Sequence, residues 1–125
     1  MSGLSEESKA AIANLTSEIA ASTVASDTSA YRGVDNSAAM DWMPGDLIED
    51  RGFVSASLDK QHILDTHASD ESRSLIVIKV PAGAHALEVK GSAEKELIIQ
   101  RGSTFRVVSN GDGHITLELV NRARG

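Results

Sequence analysis

The stretch Glu94-Lys95-Glu96-Leu97-Ile98-Ile99-Gln100-Arg101-Gly102-Ser103-Thr104-Phe105-Arg106-Val107 decides how this chain is read. It sets two carboxylates around a lysine at the head of an apolar run. Read as a strand, it sends alternate side chains to opposite faces. Glu94 and Glu96 then share one face and Lys95 takes the other. Their Cβ atoms stand roughly 7 Å apart, from two steps of ~3.3 Å each. Like charges on one face are unfavourable unless a cation lies close or a ligand uses them. A solvated strand end looks the same in isolation, so the weight falls on the rest of the chain.

The chain has 125 residues, the length of one domain with one core. Hydrophobic residues make up 41 % and aromatic ones only 3 %, so Val, Ile, Leu and Ala must build that core. A net charge of −6 argues against nucleic acid as a partner. No cysteine is present, which excludes disulfides, thiolate zinc sites and a cysteine nucleophile. No apolar run reaches the ~20 residues of a membrane span, and the N-terminus has no basic region followed by an apolar stretch. The expectation is a soluble protein without a membrane partner.

Residues 5–21 read as a helix, with Ser5 as cap and Glu6 and Glu7 in the first turn. Ala11, Ile12, Leu15, Ile19 and Ala20 form a narrow apolar stripe, so the helix should pack lightly. Residues 29–34 predict a short strand that breaks at Gly33. Residues 35–43 are irregular or one helical turn, and Pro44-Gly45-Asp46 is a turn. Short strands follow at 47–50 and 53–58. On the second, Phe53, Ser55 and Ser57 share a face opposite Val54, Ala56 and Leu58. Asp59 can cap a helix to about His67 that buries Ile63 and Leu64. Residues 74–80 are the clearest strand, apolar enough to be covered on both faces. Strands at 84–89, 105–108 and 114–120 complete the chain, the last pair joined by a hairpin at 110–113. The fold class is α+β: a short N-terminal helix, then mainly antiparallel strands in two small packed sheets with a cleft. Residues 1–28 form the helix and linker, and 29–121 the core.

Conventional sites are missing. His62, His67, His85 and His114 have no metal-ligand spacing, and phosphate-binding glycine loops and a nucleophile elbow are absent. Three separated pieces remain. Tyr31-Arg32-Gly33 puts a guanidinium beside a residue that lets a ligand approach the backbone. Phe53-Val54-Ser55-Ala56-Ser57 puts two hydroxyls on one strand face. Glu94-Lys95-Glu96 is the third. Singly, each also suits an ordinary surface.

In this order, with these flanks, they resemble the ADP-ribosyltransferase family of the Arg–Ser–Glu type, which includes toxins and phage-encoded transferases. Its pattern is aromatic–Arg, then aromatic–x–Ser–Thr–Ser, then Glu/Gln–x–Glu at the head of a strand with an Arg-Gly-like turn. The flanking residues 45–53, and Ser72-Arg73 leading to Val80-Pro81-Ala82-Gly83, resemble it too. The likeness spans about residues 31–120. Ala56 stands where the family has threonine. The region before Arg32 is shorter than in toxin members, and the turn before Glu94 lacks an aromatic residue.

The resemblance implies NAD as substrate, no metal, and an arginine on a partner protein as acceptor. It implies a catalytic group of Arg32, Ser55, Glu94 and Glu96. Glu96 bonds the ribose 2′-hydroxyl and stabilises charge on the sugar, as in glycoside cleavage. Ser55 orients Glu96, and Glu94 pairs with the acceptor guanidinium, both reaching one bond from a shared strand face. Tyr31, Arg32, Gly33, Phe53, Ser55, Ser57 and Arg73 line the NAD site, Arg32 on phosphate and ribose, Gly33 on the nicotinamide amide, Arg73 on the pyrophosphate. The expected place of action is a host cytoplasm. Two alternatives stay open: an NAD glycohydrolase, and a non-catalytic module of a larger phage or toxin protein.

Overall fold

The computed structural model describes residues 6–66, 73–89, 91, 95–111 and 114–120. Among them the order is α1 (Glu6–Ala20), β1 (Thr28–Asp35), α2 (Asn36–Ala39), β2 (Leu47–Asp50), β3 (Val54–Ser57), α3 (Lys60–Thr66), β4 (Arg73–Val80), β5 (Ala86–Glu88), β6 (Glu96–Ile99), β7 (Ser103–Gly111) and β8 (His114–Leu119). The strands lie in the order β2-β7-β8-β4-β1-β3-β6-β5. All pair antiparallel except β4 with β8.

One join in this run is thin. β1 pairs with β4 along its whole length, from Thr28↔Val80 to Asp35↔Arg73. It meets β3 only at Tyr31↔Ser57. The strands form one eight-stranded sheet rather than two separate ones, because that bridge links a run of five to a run of three. Between them lies one aliphatic core. Ala30, Ile76, Ile78, Ile115, Leu117, Phe105 and Val107 come from the larger run, and Val54, Ala56, Ala86, Leu97 and Ile99 from the smaller. Val, Ile and Leu on alternate positions are what makes these segments strands, since their branched side chains fill a pleated, half-buried surface.

β1 does not break at Gly33. That residue sits opposite Leu75 inside a ladder held from the β4 side, and the strand runs on to Asp35. Of the α1 stripe, Ile19 is buried and Leu15 half-buried, but Ala20 is exposed. Light packing is made good by backbone bonds past the helix end: Val24 N–H donates to Ala84 O (3.0 Å) and Gly83 N–H to Val24 O (2.9 Å). Asp59 caps α3, accepting the His62 N–H at 3.2 Å, and Ile63 is the residue α3 buries. The Ser5 cap, His67, the tip of the 110–113 hairpin at Asp112 and Gly113, and the flanking Ser72 fall outside the described residues. No described helix is long and apolar enough to cross a membrane.

Candidate active site

The thin join is where the sequence motifs meet. Tyr31 on β1 faces Ser57 on β3, and Ser57 faces Glu96 on β6. Directly opposed residues point to the same face, so Tyr31, Ser57 and Glu96 form one row across three strands. Ser55, two residues before Ser57, lies on that face as well. Its hydroxyl donates to Glu96 Oε2. A charge-assisted bond of this kind fixes both the rotamer and the direction of a carboxylate. Among the described residues Oε1 accepts no hydrogen bond, so one oxygen is held and the other is presented.

Arg32 approaches from the opposite side of β1. Its Nη1 reaches the Ser55 carbonyl at 3.4 Å, a long and weak contact. Arg32 therefore spans the gap that opens where β1 and β3 stop pairing. Ser57 is nearly inaccessible, at 3 %, and its hydroxyl bonds to the following turn: it accepts Asp59 N–H at 2.9 Å and donates to Asp59 O at 3.3 Å. Of the two hydroxyls on one strand face, Ser55 is exposed and turned to a carboxylate, and Ser57 is buried.

The head of β6 departs from a plain strand. Lys95 has φ +51°, the one non-glycine residue in the left-handed region among those described. The Lys95 carbonyl accepts the Leu58 N–H at 2.9 Å, so the turn is tied to the end of β3. Left-handed backbone is unfavourable for a side chain with a Cβ and persists where the surroundings fix it. β6 accordingly starts at Glu96, and strand alternation does not run back through Lys95. The shared face predicted for Glu94 and Glu96 loses its basis, and Glu94 itself falls outside the described residues.

The far end of β6 is tied too. Gly102 N–H donates to Asp50 O at 2.9 Å, and the Arg101 guanidinium lies 5.9 Å from the ring centre of the half-buried Phe53. Phe53 thus belongs to the frame that fixes β3 against β6. Gly33 lies in β1 just past the bridge, where β3 takes up none of the β1 backbone. Arg73 is set apart from this group. It stands opposite Asp35, about 10 Å along β1 from Arg32 by strand rise, with Nη1 on Asp35 Oδ1 at 2.8 Å. The Lys95 turn had no signal in the sequence, because lysine marks no turn type. The Arg101–Phe53 contact had a faint one, in the Arg-Gly turn after an apolar strand.

The arrangement sets a guanidinium suited to an anionic group on the Ser55 carbonyl and a carboxylate suited to developing positive charge on the Ser55 hydroxyl. Family comparison fits that geometry. A model of the ADP-ribosyltransferase exoenzyme family matches residues 1–123.

The chain belongs to the ADP-ribosyltransferase exoenzyme family.

Solved structures of the same fold agree with membership. C3stau2 from S. aureus, solved with NAD, superposes with a TM-score of 0.76 at 15 % identity, covering 95 % of this chain and 74 % of that one. The Clostridium limosum C3 exoenzyme gives 0.76 at 15 %, covering 95 % and 71 %. Plx2a, an ADP-ribosyltransferase toxin from Paenibacillus larvae, gives 0.72 at 16 %, covering 95 % and 74 %. At such identities these structures testify to the fold. No curated sequence matches this chain. Among the described residues no group of His, Asp or Glu could hold a metal ion.

Proposed function

We propose that this chain is a mono-ADP-ribosyltransferase that moves ADP-ribose from NAD to an arginine of a protein. The observation that carries the reading is the Ser55 hydroxyl on the Glu96 carboxylate, beside the Arg32 guanidinium, at the join of the two strand runs. Family membership and a fold shared with an exoenzyme solved with NAD support it.

In this reading Arg32 binds the phosphate and ribose of NAD, Gly33 offers backbone groups to the nicotinamide amide, and Tyr31, Phe53 and Ser57 shape the pocket. Glu96 Oε1 takes the ribose 2′-hydroxyl. The bond between the anomeric carbon and nicotinamide breaks with its electron pair leaving on nicotinamide. Positive charge grows on the sugar as it does so, and Glu96 is aimed at that charge. A guanidine nitrogen of the acceptor then bonds to the anomeric carbon, and the proton it sheds passes to solvent by way of Glu94. Arg73 would have to leave Asp35 to meet a pyrophosphate, and the reading does not depend on it.

Labelling a host lysate with tagged NAD tests the proposal. The expected product is an arginine-linked label, lost in Glu94→Ala while nicotinamide release persists. Label on another residue type, or none, contradicts it. One observation favours a second reading: the Lys95 turn removes the strand geometry that would align Glu94 with Glu96, whereas transfer to water needs Glu96 alone. Nicotinamide release without labelled protein supports that NAD glycohydrolase.

A further inference from the structure

The described residues include four large apolar side chains left about half exposed or more: Met40 at 72 %, Met43 at 65 %, Leu47 at 67 % and Val108 at 49 %. They are not scattered. Met40, Met43 and Leu47 lie within one short segment, and Val108 joins them through its neighbour, since Gly45 N–H donates to Val107 O (2.8 Å) and Val107 N–H to Asp46 O (2.9 Å). Beside them opens a cavity of about 650 Å³ whose apolar wall is Ala39, Met40, Trp42, Met43, Pro44 and Ile115. Isolated exposed apolar residues are ordinary, but a contiguous set around a concavity marks a binding surface.

The loop that carries them is built rather than loose. Asn110 Nδ2 donates to Ala39 O (3.0 Å) and Trp42 O (2.9 Å), holding α2 and its exit on β7. Asp46 Oδ2 accepts the Met43 N–H at 2.9 Å. Gly45 makes the turn at φ +96°, a conformation open to glycine. These bonds fix the backbone on either side of Met40 and Met43, whose side chains are exposed. β2 adds a free sheet edge alongside, with Leu47 at its start.

Charge says what the surface fits. Residues 40–50 contain Asp41, Asp46, Glu49 and Asp50 and no lysine or arginine. All four acids are exposed, and none has an ion pair among the described residues. Arg73, which also lines the cavity, is paired with Asp35, and Arg106 with Glu118, so Arg51, directly after Asp50, offsets one of the four acids. Flexible methionine side chains inside an acidic rim suit an apolar helix face flanked by Lys and Arg, because methionine repacks around varied shapes and the rim rewards cations. An anionic lipid surface is disfavoured by the same acids.

We propose that the groove lined by Met40, Trp42 and Met43, together with the exposed Leu47 and Val108 on the adjoining strands, is a docking surface for a basic amphipathic helix of a partner protein. The proposal is independent of the transferase reading and needs no catalysis for its test. Trp42 is the single tryptophan of the chain and lines the groove, so its fluorescence reports occupancy directly. The probe is a synthetic Leu/Lys amphipathic peptide of ~14 residues, long enough to become helical on binding. Titration should give a saturable blue shift that weakens with salt. Met40→Glu combined with Met43→Glu should weaken binding at least tenfold, although it adds negative charge. Simple attraction between an acidic protein and a basic peptide predicts the reverse, so equal or tighter binding by that variant overturns the proposal. So does the absence of a saturable shift, or a shift with phosphatidylglycerol vesicles and none with the peptide. Leu47→Glu, on β2 rather than the loop, gives an independent variant whose binding should fall in the same direction, with unchanged binding again counting against the groove.

Discussion

The two flanks of β1 differ sharply. Toward β4 the strand is paired from Thr28 to Asp35 without a gap, and β4 is in turn fixed by β8. Toward β3 it holds by the Tyr31↔Ser57 bridge alone. Where pairing is full, the side chains between the two runs are Ala30, Ile76 and Ile78, and they are buried. Where it lapses, Arg32, Ser55 and Glu96 gather. A strand anchored along one edge can leave its other edge unpaired at little risk to the fold. The unpaired edge is then the place where polar side chains and backbone groups can meet a ligand. Stability and chemistry are drawn from opposite sides of the same strand.

Substitutions on the two flanks should therefore separate stability from activity. On the paired flank, Ile78 is 1 % exposed, and Ile78→Ala should lower unfolding free energy by about 2–5 kcal/mol. Urea denaturation reads this, and a loss under 1 kcal/mol would mean that the core is not centred there. On the open flank, Arg32→Ala should reduce kcat/KM for NAD roughly a hundredfold, about 2.7 kcal/mol, while the melting temperature stays put. A matching fall in melting temperature would make Arg32 a structural residue instead. At the Lys95 turn, Lys95→Val should cost about 1–2 kcal/mol and slow nicotinamide release, because a β-branched residue resists φ +51°. Lys95→Gly should retain or raise stability. Equal effects of valine and glycine would show that the lysine charge matters and the backbone does not. The smallest change is expected at Ser55→Ala, about tenfold in kcat or ~1.4 kcal/mol, with KM little altered. A rise in KM alone would give Ser55 a binding role rather than a positioning one.

The paired flank was legible in the sequence. Residues 74–80 read as the clearest strand because apolar residues on both faces leave few other conformations, and β4 spans Arg73–Val80. Asp59 announced α3 by its capping side chain. The open flank was legible only as residue types. Tyr31, Arg32, Phe53, Ser55, Ser57 and Glu96 drew attention as a set, but the thinness of the β1–β3 join could not be read, since pairing between distant segments is decided by the whole sheet. The Gly33 break was expected for a local reason, and the β4 ladder overrode it. The Lys95 turn was hidden because the bond from Leu58 that fixes it comes from another strand. The segment at Met40–Leu47 looked like a turn-rich connection, and only the Asn110 side chain on β7, bonded to the Ala39 and Trp42 carbonyls, reveals that its backbone is held in place with both methionines exposed.

Free nicotinamide measured after incubation with NAD, for the native chain and for Glu96→Gln side by side, tests the account most directly. The amide keeps the size and one hydrogen-bonding oxygen of the side chain but removes the charge aimed at the sugar. With Glu96 stabilising the sugar charge, the native chain should release nicotinamide steadily, the variant at least about a hundredfold more slowly, and both should melt at the same temperature. Equal release from the two proteins, or none from the native chain, would contradict that role.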